Sequence, residues 1–426
     1  MIKTLTSAFK NKDIRKKLLY TLMMLVVIRI GSLLPIPGVD TEYFSTLLSG
    51  FNSGDLSYLS AFTGGSFEKM SLFALSITPY ITSSIIMQLL TIAIPKLEEM
   101  QKEGEDGRKK IASITRYVTI ALALIESIAM AVGFGRQGLI KDYKDMSTIH
   151  YVTCIIVVVA ALTAGSAVLM WIGERITEKG VGNGISIVLL INIISGMPSD
   201  FVTLYSTFVA NKSIARGVTV AVIIAAIVIA VVVLVVILQD GERRIPVQYS
   251  QKVAGRKTIG GQATNIPLKV NTAGVMPIIF ASSIMQFPVI IVQLFTSNSY
   301  EWTKYLSQSY WCRVQMPKYS IGLLLYIILV VVFAYFYTSI TFNPVQIADN
   351  LKKAGGVVPG ITPGRSTSEY LNKILNYIVF IGAVGLMIVA LIPIMCTGFF
   401  NASVSFGGTS IIIIVGVVLE TMKQIE

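Results

Sequence analysis

Residues 62–94 read FTGGSFEKMSLFALSITPYITSSIIMQLLTIAI, and this stretch decides the class of the protein. Gly64 and Gly65 precede an apolar segment that we expect to become helical near Met70 and to be interrupted at Pro79. Hydrocarbon satisfies no backbone N–H or C=O group, so irregular backbone at membrane depth survives only where protein buries it or where it lines a wet cavity. The stretch is therefore predicted to line a path through the protein, with the remaining chain as its wall.

The composition of the whole chain is that of a membrane protein. Of its 426 residues, 54% are hydrophobic and 14% are charged, and the apolar residues occur in long blocks. We predict an all-α polytopic membrane protein with ten transmembrane helices. The fifth and tenth apolar runs are shorter than the roughly 20 residues that cross a bilayer. The ten runs lie roughly at residues 18–34, 72–94, 114–134, 151–172, 183–196, 216–238, 270–295, 320–342, 372–394 and 409–420.

Lysine and arginine residues set the predicted orientation. With a cytoplasmic N-terminus, 25 of the 35 fall in inside segments, nine fall in outside loops and one, Arg29, lies within a span. This bias follows the positive-inside rule, places both termini in the cytoplasm and accounts for the net charge of +12. The predicted organisation is an amphipathic segment at 1–17, a first half at 18–196, an external hinge at 197–215, a second half at 216–420 with cytoplasmic loops at 239–269 and 343–369, and a tail at 421–426.

An internal similarity suggests that the two halves are related. PYITSSIIMQ at 79–88 and PIIFASSIMQ at 277–286 are identical at six of ten positions, although chance similarity between apolar segments is the alternative. Each half has five spans, and because five is odd the second half enters the membrane from the opposite face. Interrupted or short spans at matching places in inverted halves indicate the central path. Spans 2, 5, 7 and 10 are therefore predicted to line a central pore.

The residue types inside the spans argue against two other function classes. A secondary transporter of inverted-repeat type for small solutes is the alternative function, but such transporters generally need intramembrane acids, and Glu126 is the only carboxylate clearly inside a span. An intramembrane enzyme needs an Asp pair, a Ser/His pair or metal ligands. The only histidine, His150, lies in a loop, and Cys154, Cys312 and Cys396 lack metal or disulfide spacing. No catalytic residue, metal or cofactor is predicted.

Two local features have open alternatives. Arg29 lies deep in the first span, where a charge costs about 2.5–3.5 kcal/mol, so its side chain faces the bundle interior or extends toward the outer interface. The outer segment 39–69 is unusually apolar, which fits folding back into the protein or an ordinary helical hairpin. The cytoplasmic loops 239–269 and 343–369 are basic, rich in Gly and Pro, and are predicted to lack a hydrophobic core. They suit docking of a large anionic partner, such as ribosomal RNA or an acidic protein surface, or serve only to set topology.

A set of motifs spread along the chain resembles the SecY family, the channel subunits of the bacterial Sec protein translocase. The resemblance implies two inverted five-helix halves that clamp a pore, which opens sideways between spans 2 and 7. It implies a channel that moves unfolded secretory proteins across the cytoplasmic membrane and releases hydrophobic segments into it. The motifs are VIRIGSLLPIPG at 27–38, FALSITPYITSSIIMQLL at 73–90, EGEDGRKKI at 103–111, MWIGE at 170–174, GVGNGIS at 180–186, RRIPVQY at 243–249, IPLKVNTAGVMPIIFASS at 266–283, ADNLKKAGGVVPGI at 348–361, FGGTS at 406–410 and ETMKQIE at 420–426.

The resemblance also assigns roles to residues of this chain, each of which taken singly also fits an ordinary core or lipid-facing position. The implied apolar pore ring consists of Ile77, Ile81, Ile185, Leu189, Ile279 and Ile413. The implied plug, a short helix that seals the outer side, consists of Leu56, Ser57, Tyr58, Leu59, Ser60, Ala61, Phe62 and Thr63. The implied lateral gate consists of Thr82, Ser83 and Ser84 against Ala281, Ser282, Ser283 and Phe287.

The implied partners are a ribosome with its RNA, a SecA-like motor ATPase, SecE-like and SecG-like small membrane subunits, signal sequences, unfolded polypeptides and membrane lipids. One position departs from the family pattern, because Thr362 in GITPG stands where an arginine is expected, and Arg365 follows three residues later. Coupling to a motor through that position is therefore in doubt. The implied docking residues are Arg243, Arg244, Lys252, Arg256, Lys257, Lys352, Lys353 and Arg365.

Overall fold

The computed structural model describes residues 10–50, 63–140, 147–206, 214–249, 252–254, 257–259, 263–295, 300–313, 316–400 and 408–425. Each of the ten predicted apolar runs contains helix, although turns occupy 72–77 of the second run and 270–275 of the seventh. The ten helices are α1, α3, α5, α6, α7, α8, α9, α11, α13 and α14 of the following set. The helices are α1 Lys12–Leu33, α2 Thr41–Gly50, α3 Thr78–Ala93, α4 Pro95–Lys102, α5 Glu105–Phe134, α6 Thr148–Lys179, α7 Gly184–Leu204, α8 Ile214–Asp240, α9 Met276–Phe295, α10 Glu301–Leu306, α11 Ile321–Thr341, α12 Pro344–Lys353, α13 Arg365–Phe400 and α14 Gly408–Ile425. The strands are β1 Glu242–Tyr249, β2 Lys252–Ala254, β3 Lys257–Ile259, β4 Ala263–Lys269 and β5 Gly356–Val357.

Several helices are long and apolar enough to cross a membrane. In the described part of the chain, α5, α6, α8, α11 and α13 qualify by length and hydropathy. Helices α3 and α4 qualify together as a sixth span, although they are bent by 105°. Pro95 causes this bend, because proline excludes the helical conformation from the preceding residue, and Ile94 is extended with φ −111° and ψ 111°.

Helix α7 corrects the predicted length of the fifth span. The sequence suggested a run of about twelve residues ending near Ser195, but α7 has 21 residues and contains Pro198. Proline is tolerated in membrane helices where neighbouring groups satisfy the freed backbone. Nearby, the Ser199 hydroxyl donates a hydrogen bond to the Gly196 carbonyl at 2.7 Å. Helix α14 has 18 residues and is also longer than predicted.

The two halves repeat the same order of neighbouring helices. In the first half, α3 packs on α5, α5 on α6 and α6 on α7, and α1 packs on α6 and α7. In the second half, α9 packs on α11, α11 on α13 and α13 on α14, and α8 packs on α13 and α14. The matching order supports the internal similarity in the sequence. The halves meet where α7 packs on α14 and α5 on α9, and the Gly182 N–H donates across this boundary to Gln424 Oε1 at 2.8 Å.

The two basic loops form a small sheet, which the sequence did not predict. Strand β1 pairs antiparallel with β4 on one side and with β5 on the other, so that the order is β4-β1-β5. Ile245 and Val247 on β1 are buried and pack with Leu371 and Ile374 of α13. The expectation that these loops lack a hydrophobic core is therefore wrong, because alternate residues of β1 point into a core shared with α13.

The described ends of the outer segment 39–69 fold back onto the protein. Phe44 on α2 is fully buried, and its ring makes edge-on contacts with Phe67 at 5.9 Å and with Phe134 at 5.2 Å between centroids. These rings belong to a core that also contains residues of α6. Folding back is thus confirmed for the part of this segment that the structure describes.

Candidate functional site

The site begins at the irregular backbone that precedes α3. Helix α3 starts at Thr78 with Pro79 in its first turn. The expectation of a helix that begins near Met70 and is interrupted at Pro79 is therefore wrong, because residues 72–77 form turns and the proline begins the helix. Outside the helix, the Ile36 N–H donates to the Met70 carbonyl at 3.2 Å and the Leu72 N–H donates to the Leu34 carbonyl at 2.9 Å. Met70 is fully buried within this segment. Irregular backbone is therefore enclosed by protein, as predicted.

The structure brings all six residues of the implied ring into one apolar cluster. They come from four helices and both halves: the start of α3, the first turns of α7, the first turn of α9, and α14. Ile81 and Ile185 are half-buried. The other four have small exposed fractions: Ile77 0%, Leu189 7%, Ile279 9% and Ile413 3%.

Glycines on α6 allow the cluster to pack closely, and the sequence prediction missed them. A Cβ atom built on Gly173 would lie 3.4 Å from Ile185 Cγ1 and 3.7 Å from Ile77 Cδ1. Gly165 lies eight residues earlier on the same helix, where a Cβ atom would lie 1.9 Å from the Leu72 carbonyl oxygen. Small residues at such spacing let membrane helices approach closely. That spacing is the sequence signal that could have pointed to α6 as support for the cluster.

Arg29 faces the bundle interior, which confirms one of its two alternatives. Its Nη1 donates to the Ser195 hydroxyl of α7 at 2.9 Å. Ser195 in turn lies within donating distance of two carbonyl oxygens, that of Asn192 at 2.8 Å and that of Gly64 at 3.3 Å. Asn192 is buried, and its Nδ2 donates to the Ser76 hydroxyl at 2.9 Å. These polar contacts lie directly beside the apolar cluster, because Ser76 precedes Ile77 in the chain.

Most of the implied plug, Leu56 to Phe62, lies outside the described residues. Thr63 is described, is buried, and accepts a hydrogen bond on its hydroxyl from the Phe67 N–H at 3.4 Å. The assignment of the plug stays a prediction.

The hydroxyl groups of the implied lateral gate bond within their own halves. Ser83 Oγ lies 2.5 Å from Thr119 Oγ1 on α5, and Ser282 donates to the Ile278 carbonyl of its own helix at 2.7 Å. Thr82 likewise donates to the Thr78 carbonyl at 3.1 Å. The remaining members are Ser84, which is half-buried, Ala281, which is buried, Ser283, which is exposed, and Phe287, whose side chain lies outside the description.

The implied docking residues lie on the small sheet and next to it. Because β1 pairs with β5, the two basic loops form one joined unit, referred to below as the cytoplasmic sheet after the side predicted for these loops. Arg365 Nε makes an ion pair with Glu369 Oε1 at 3.0 Å. Arg256 and the side chains of Lys252 and Lys257 lie outside the described residues. The described docking side chains, Arg243, Arg244, Lys352, Lys353 and Arg365, are all exposed.

Metal ligands are not clustered in the described ranges. No group of three or more His, Cys, Asp or Glu side chains there is arranged to hold a metal ion. Cys154 and Cys312 are free and half-buried.

Comparison with known proteins decides the family. The family model described as SecY matches residues 71–422. The chain belongs to the SecY family of protein translocase subunits. Curated SecY relatives align along the whole chain: those of Streptomyces galbus and Halalkalibacterium halodurans are 42% and 41% identical, and each alignment covers 100% of this chain and 97% of the relative. The SecY of Staphylococcus aureus is 38% identical with the same coverage.

Solved SecY-type structures share the fold. The chain matches a structure described as a protein conducting channel with a TM-score of 0.61 and 18% identity, over 96% of this chain and 91% of that one. It matches Sec61 in a canine ribosome-channel complex with a TM-score of 0.61 and 17% identity over the same shares. The predicted helical fold and the family resemblance are both confirmed. The chain is a multi-pass protein of the bacterial plasma membrane.

Proposed function

We propose that the six clustered residues form the seal of a protein-conducting channel. Unfolded secretory proteins cross the membrane through it, and hydrophobic segments leave sideways into the lipid. The observation that carries this proposal is that Ile77, Ile81, Ile185, Leu189, Ile279 and Ile413, from four helices and both halves, belong to one apolar cluster.

The chemistry of these side chains suits a seal that can open. Apolar constrictions exclude water and ions by dewetting. Branched aliphatic side chains make no directional bonds with one another, so they separate around a polypeptide and close again behind it. Parting the halves at this cluster exchanges apolar contacts with other side chains for apolar contacts with a passing segment. The proposed role of this chain is that of the conduit, and the energy for transport comes from a partner.

The cytoplasmic sheet is the proposed docking surface for that partner, a SecA-like motor or the ribosome with its RNA. Exposed Arg243 and Arg244 on β1, together with Lys352 and Lys353 beside β5, form a basic surface suited to an anionic partner. The matched Sec61 structure is a ribosome-channel complex, which agrees with this role. Small membrane subunits of SecE and SecG type complete the assembly, and both termini lie in the cytoplasm according to the distribution of Lys and Arg.

The plug and the lateral gate complete the proposed channel. Residues 56–63 seal the outer side. Thr82, Ser83 and Ser84 on α3, with residues 281–283 and 287 on α9, form the edges that part toward the lipid. Small polar residues at such edges allow two helices to separate with little loss of apolar packing.

Neighbouring isoleucines on α14 provide a matched test of the seal. Ile413 belongs to the ring, whereas Ile412 is equally buried but belongs to the core of the second half. We expect Ile413→Asn, in channels reconstituted with their small subunits, to raise resting ion conductance several-fold and to permit export of a reporter with a defective signal sequence. We expect Ile412→Asn to lower thermal stability without either effect. If the two variants have equal resting conductance, or if a folded Ile413→Asn channel shows no increase in it, the assignment of the seal is refuted.

A further inference from the structure

The first half contributes four ring residues, and the backbone that leads to one of them is held by turn hydrogen bonds and does not form a regular helix. Ile185 and Leu189 lie on α7, whose own backbone fixes their positions. Ile77 lies at the end of an irregular segment, immediately before α3 begins. Ser76, the residue before it, has a left-handed backbone conformation with φ +53°, which a non-glycine residue adopts only when its surroundings enforce it. The Ile77 carbonyl accepts from the first turn of α3, and contacts from outside the segment are needed to hold the strained backbone before it against α7.

Side chains of α1 and α7 supply that support. Asn192, one turn beyond Leu189 on α7, donates from Nδ2 to the Ser76 hydroxyl at 2.9 Å, and both residues are almost fully buried. At the other end of the irregular segment, the carbonyl of Gly64 lies 3.3 Å from the Ser195 hydroxyl. The segment is thus hydrogen-bonded to α7 at the end near Ile77, and at its other end Gly64 packs closely on the Asn192 backbone of the same helix.

Arg29 connects α1 to the same arrangement. Its guanidinium donates to Ser195 Oγ at 2.9 Å, which leaves the Ser195 proton free to be donated to a carbonyl oxygen. A hydrogen bond from an ionised donor is stronger than one between neutral groups. A charged side chain inside a membrane span is costly and marks a functional position. Three elements, α1, α7 and the irregular segment, therefore meet at Ser195.

Residue 64 must be a glycine because of its backbone conformation and its close contact with α7. Its φ is +63°, and a Cβ atom there would lie 2.6 Å from Ser195 Oγ, 2.8 Å from the Asn192 carbonyl oxygen and 2.9 Å from Asn192 Cα. Two of these three neighbours are backbone atoms, which cannot move aside as a flexible side chain does. Gly65 also has a positive φ, +79°, but a Cβ atom there would meet nothing within 4 Å. Both adjacent glycines thus have a positive φ, but only Gly64 lacks space for a side chain.

We propose that Arg29, Gly64, Ser76, Asn192 and Ser195 form a polar bracket that positions the seal. The bracket holds Ile77 in fixed relation to Ile185 and Leu189, so the first half presents these ring residues as a preassembled arc. The second half then closes the channel by packing Ile279 and Ile413 against that arc. This inference rests on the proposed function of the ring and adds residues that control how firmly the ring stays shut.

The proposal predicts that loosening the bracket opens the channel although every ring side chain is intact. We expect Ser195→Ala to raise resting ion conductance about fivefold, the change in a closed–open equilibrium that corresponds to one lost hydrogen bond. We expect Gly64→Ala to raise it as well, because the added Cβ atom pushes the segment away from Ser195 and Asn192. We also expect both variants to raise export of a reporter with a defective signal sequence relative to an intact one. Loss of folding stability alone would lower export of both reporters together, so this ratio separates positioning from a merely structural role.

Matched controls exist for both variants. Gly65→Ala has the same backbone strain without the steric conflict, and Ser199→Ala removes an exposed hydroxyl from the same helix. Both are expected to resemble the unmodified channel. If Gly64→Ala fails to fold, Ser195→Ala, which removes a single oxygen atom, still decides the question. Arg29→Gln combined with Ser195→Ala should add little to either change alone, because both remove the same contact.

Ile413→Asn measured in the same experiment separates two kinds of failure. If Ile413→Asn conducts while Gly64→Ala and Ser195→Ala behave like their controls, the bracket is refuted and the ring stands. If a folded Ile413→Asn channel shows no increase in resting conductance, the ring is refuted, and the proposed role of the bracket is refuted as well. If both classes conduct and the controls do not, the bracket is supported.

Discussion

A methyl group added at Gly165 tests whether close backbone packing behind the ring keeps it closed. The new Cβ atom would lie 1.9 Å from the Leu72 carbonyl oxygen and 2.8 Å from its carbonyl carbon. Cβ atoms essentially never come within 3.0 Å of such a neighbour, so α6 and the Leu72 backbone must separate by at least 3.0 − 1.9 = 1.1 Å. Leu72 precedes Ile77 by five residues and packs against the same apolar cluster, so we expect the displacement to disturb the ring.

The expected cost follows from two opposing effects. Overpacking a tight interior costs about 1–3 kcal/mol, whereas replacing glycine by alanine inside a helix stabilises it by roughly 0.5–1 kcal/mol. The net expectation for Gly165→Ala is a destabilisation of up to about 2 kcal/mol, accompanied by increased resting conductance. Gly196→Ala on α7 is the matched control, because a Cβ atom there would meet nothing within 4 Å and only the helix preference changes.

Two measurements check this prediction. Thermal unfolding of the purified channel in detergent should show a lower midpoint for Gly165→Ala and an unchanged or higher midpoint for Gly196→Ala. Planar-bilayer recordings should show increased resting conductance for Gly165→Ala only. If the two variants have the same unfolding midpoint and the same conductance, close packing of α6 on the Leu72 backbone does not support the seal.

Two further predictions concern the cytoplasmic side. Replacing Arg243 and Arg244 by Glu should weaken binding of the motor or ribosome and make that binding less dependent on salt concentration. Lys318→Glu, on the predicted outer side, should change neither property. If a binding titration of the Arg243 and Arg244 variant shows unchanged affinity and salt dependence, the cytoplasmic sheet is not the docking surface. Gln424→Ala should lower the midpoint of thermal unfolding, because it removes the acceptor of the Gly182 N–H at a cost of about 1 kcal/mol. Gln424→Glu keeps an acceptor and should have a midpoint close to that of the unmodified protein. Equal midpoints for the unmodified protein and both variants would contradict this prediction.

Hydropathy predicted the helices well because each span has its own run of apolar residues, which can be recognised without knowing how the helices pack. All ten apolar runs contain helix, and failures occurred where local signals were ambiguous. Pro79 predicts an interruption but begins α3, and the fifth run is predicted to end at 196 although α7 continues through Pro198. Proline marks a boundary or a tolerated irregularity, and only packing with neighbouring helices decides between these.

The cytoplasmic sheet was missed for a different reason. Along β1, Ile245 and Val247 alternate with exposed Arg244 and Pro246, which is a strand pattern, but charge and proline obscured it. Proline normally excludes a central strand. Here Pro246 pairs with Asn265 of β4, whereas β5 pairs only with Gln248 and Tyr249, so among the described strands β1 has a partner on one side only at Pro246.

The ring and the bracket differ in how far the sequence reveals them. The ring residues could be named from family motifs, and the structure then brought them into one cluster. The bracket joins residues that lie far apart in the chain, such as Arg29 and Ser195 or Ser76 and Asn192. Nothing in local composition indicates such pairs, because each polar residue taken alone is compatible with several surroundings. Only the packing of α1 and α7 shows which partner each one has.

The pairing of β1 with β5 constrains how the protein is made. Helices α9 and α11 lie between these strands in the chain, so the pair can form only after both have been inserted and the chain has returned to the face from which it left. A chain that failed to insert one of them would carry Val357 on the opposite face from Gln248, and the two strands would never meet. Formation of this small sheet therefore reports, during biogenesis, that the second half has acquired its correct topology.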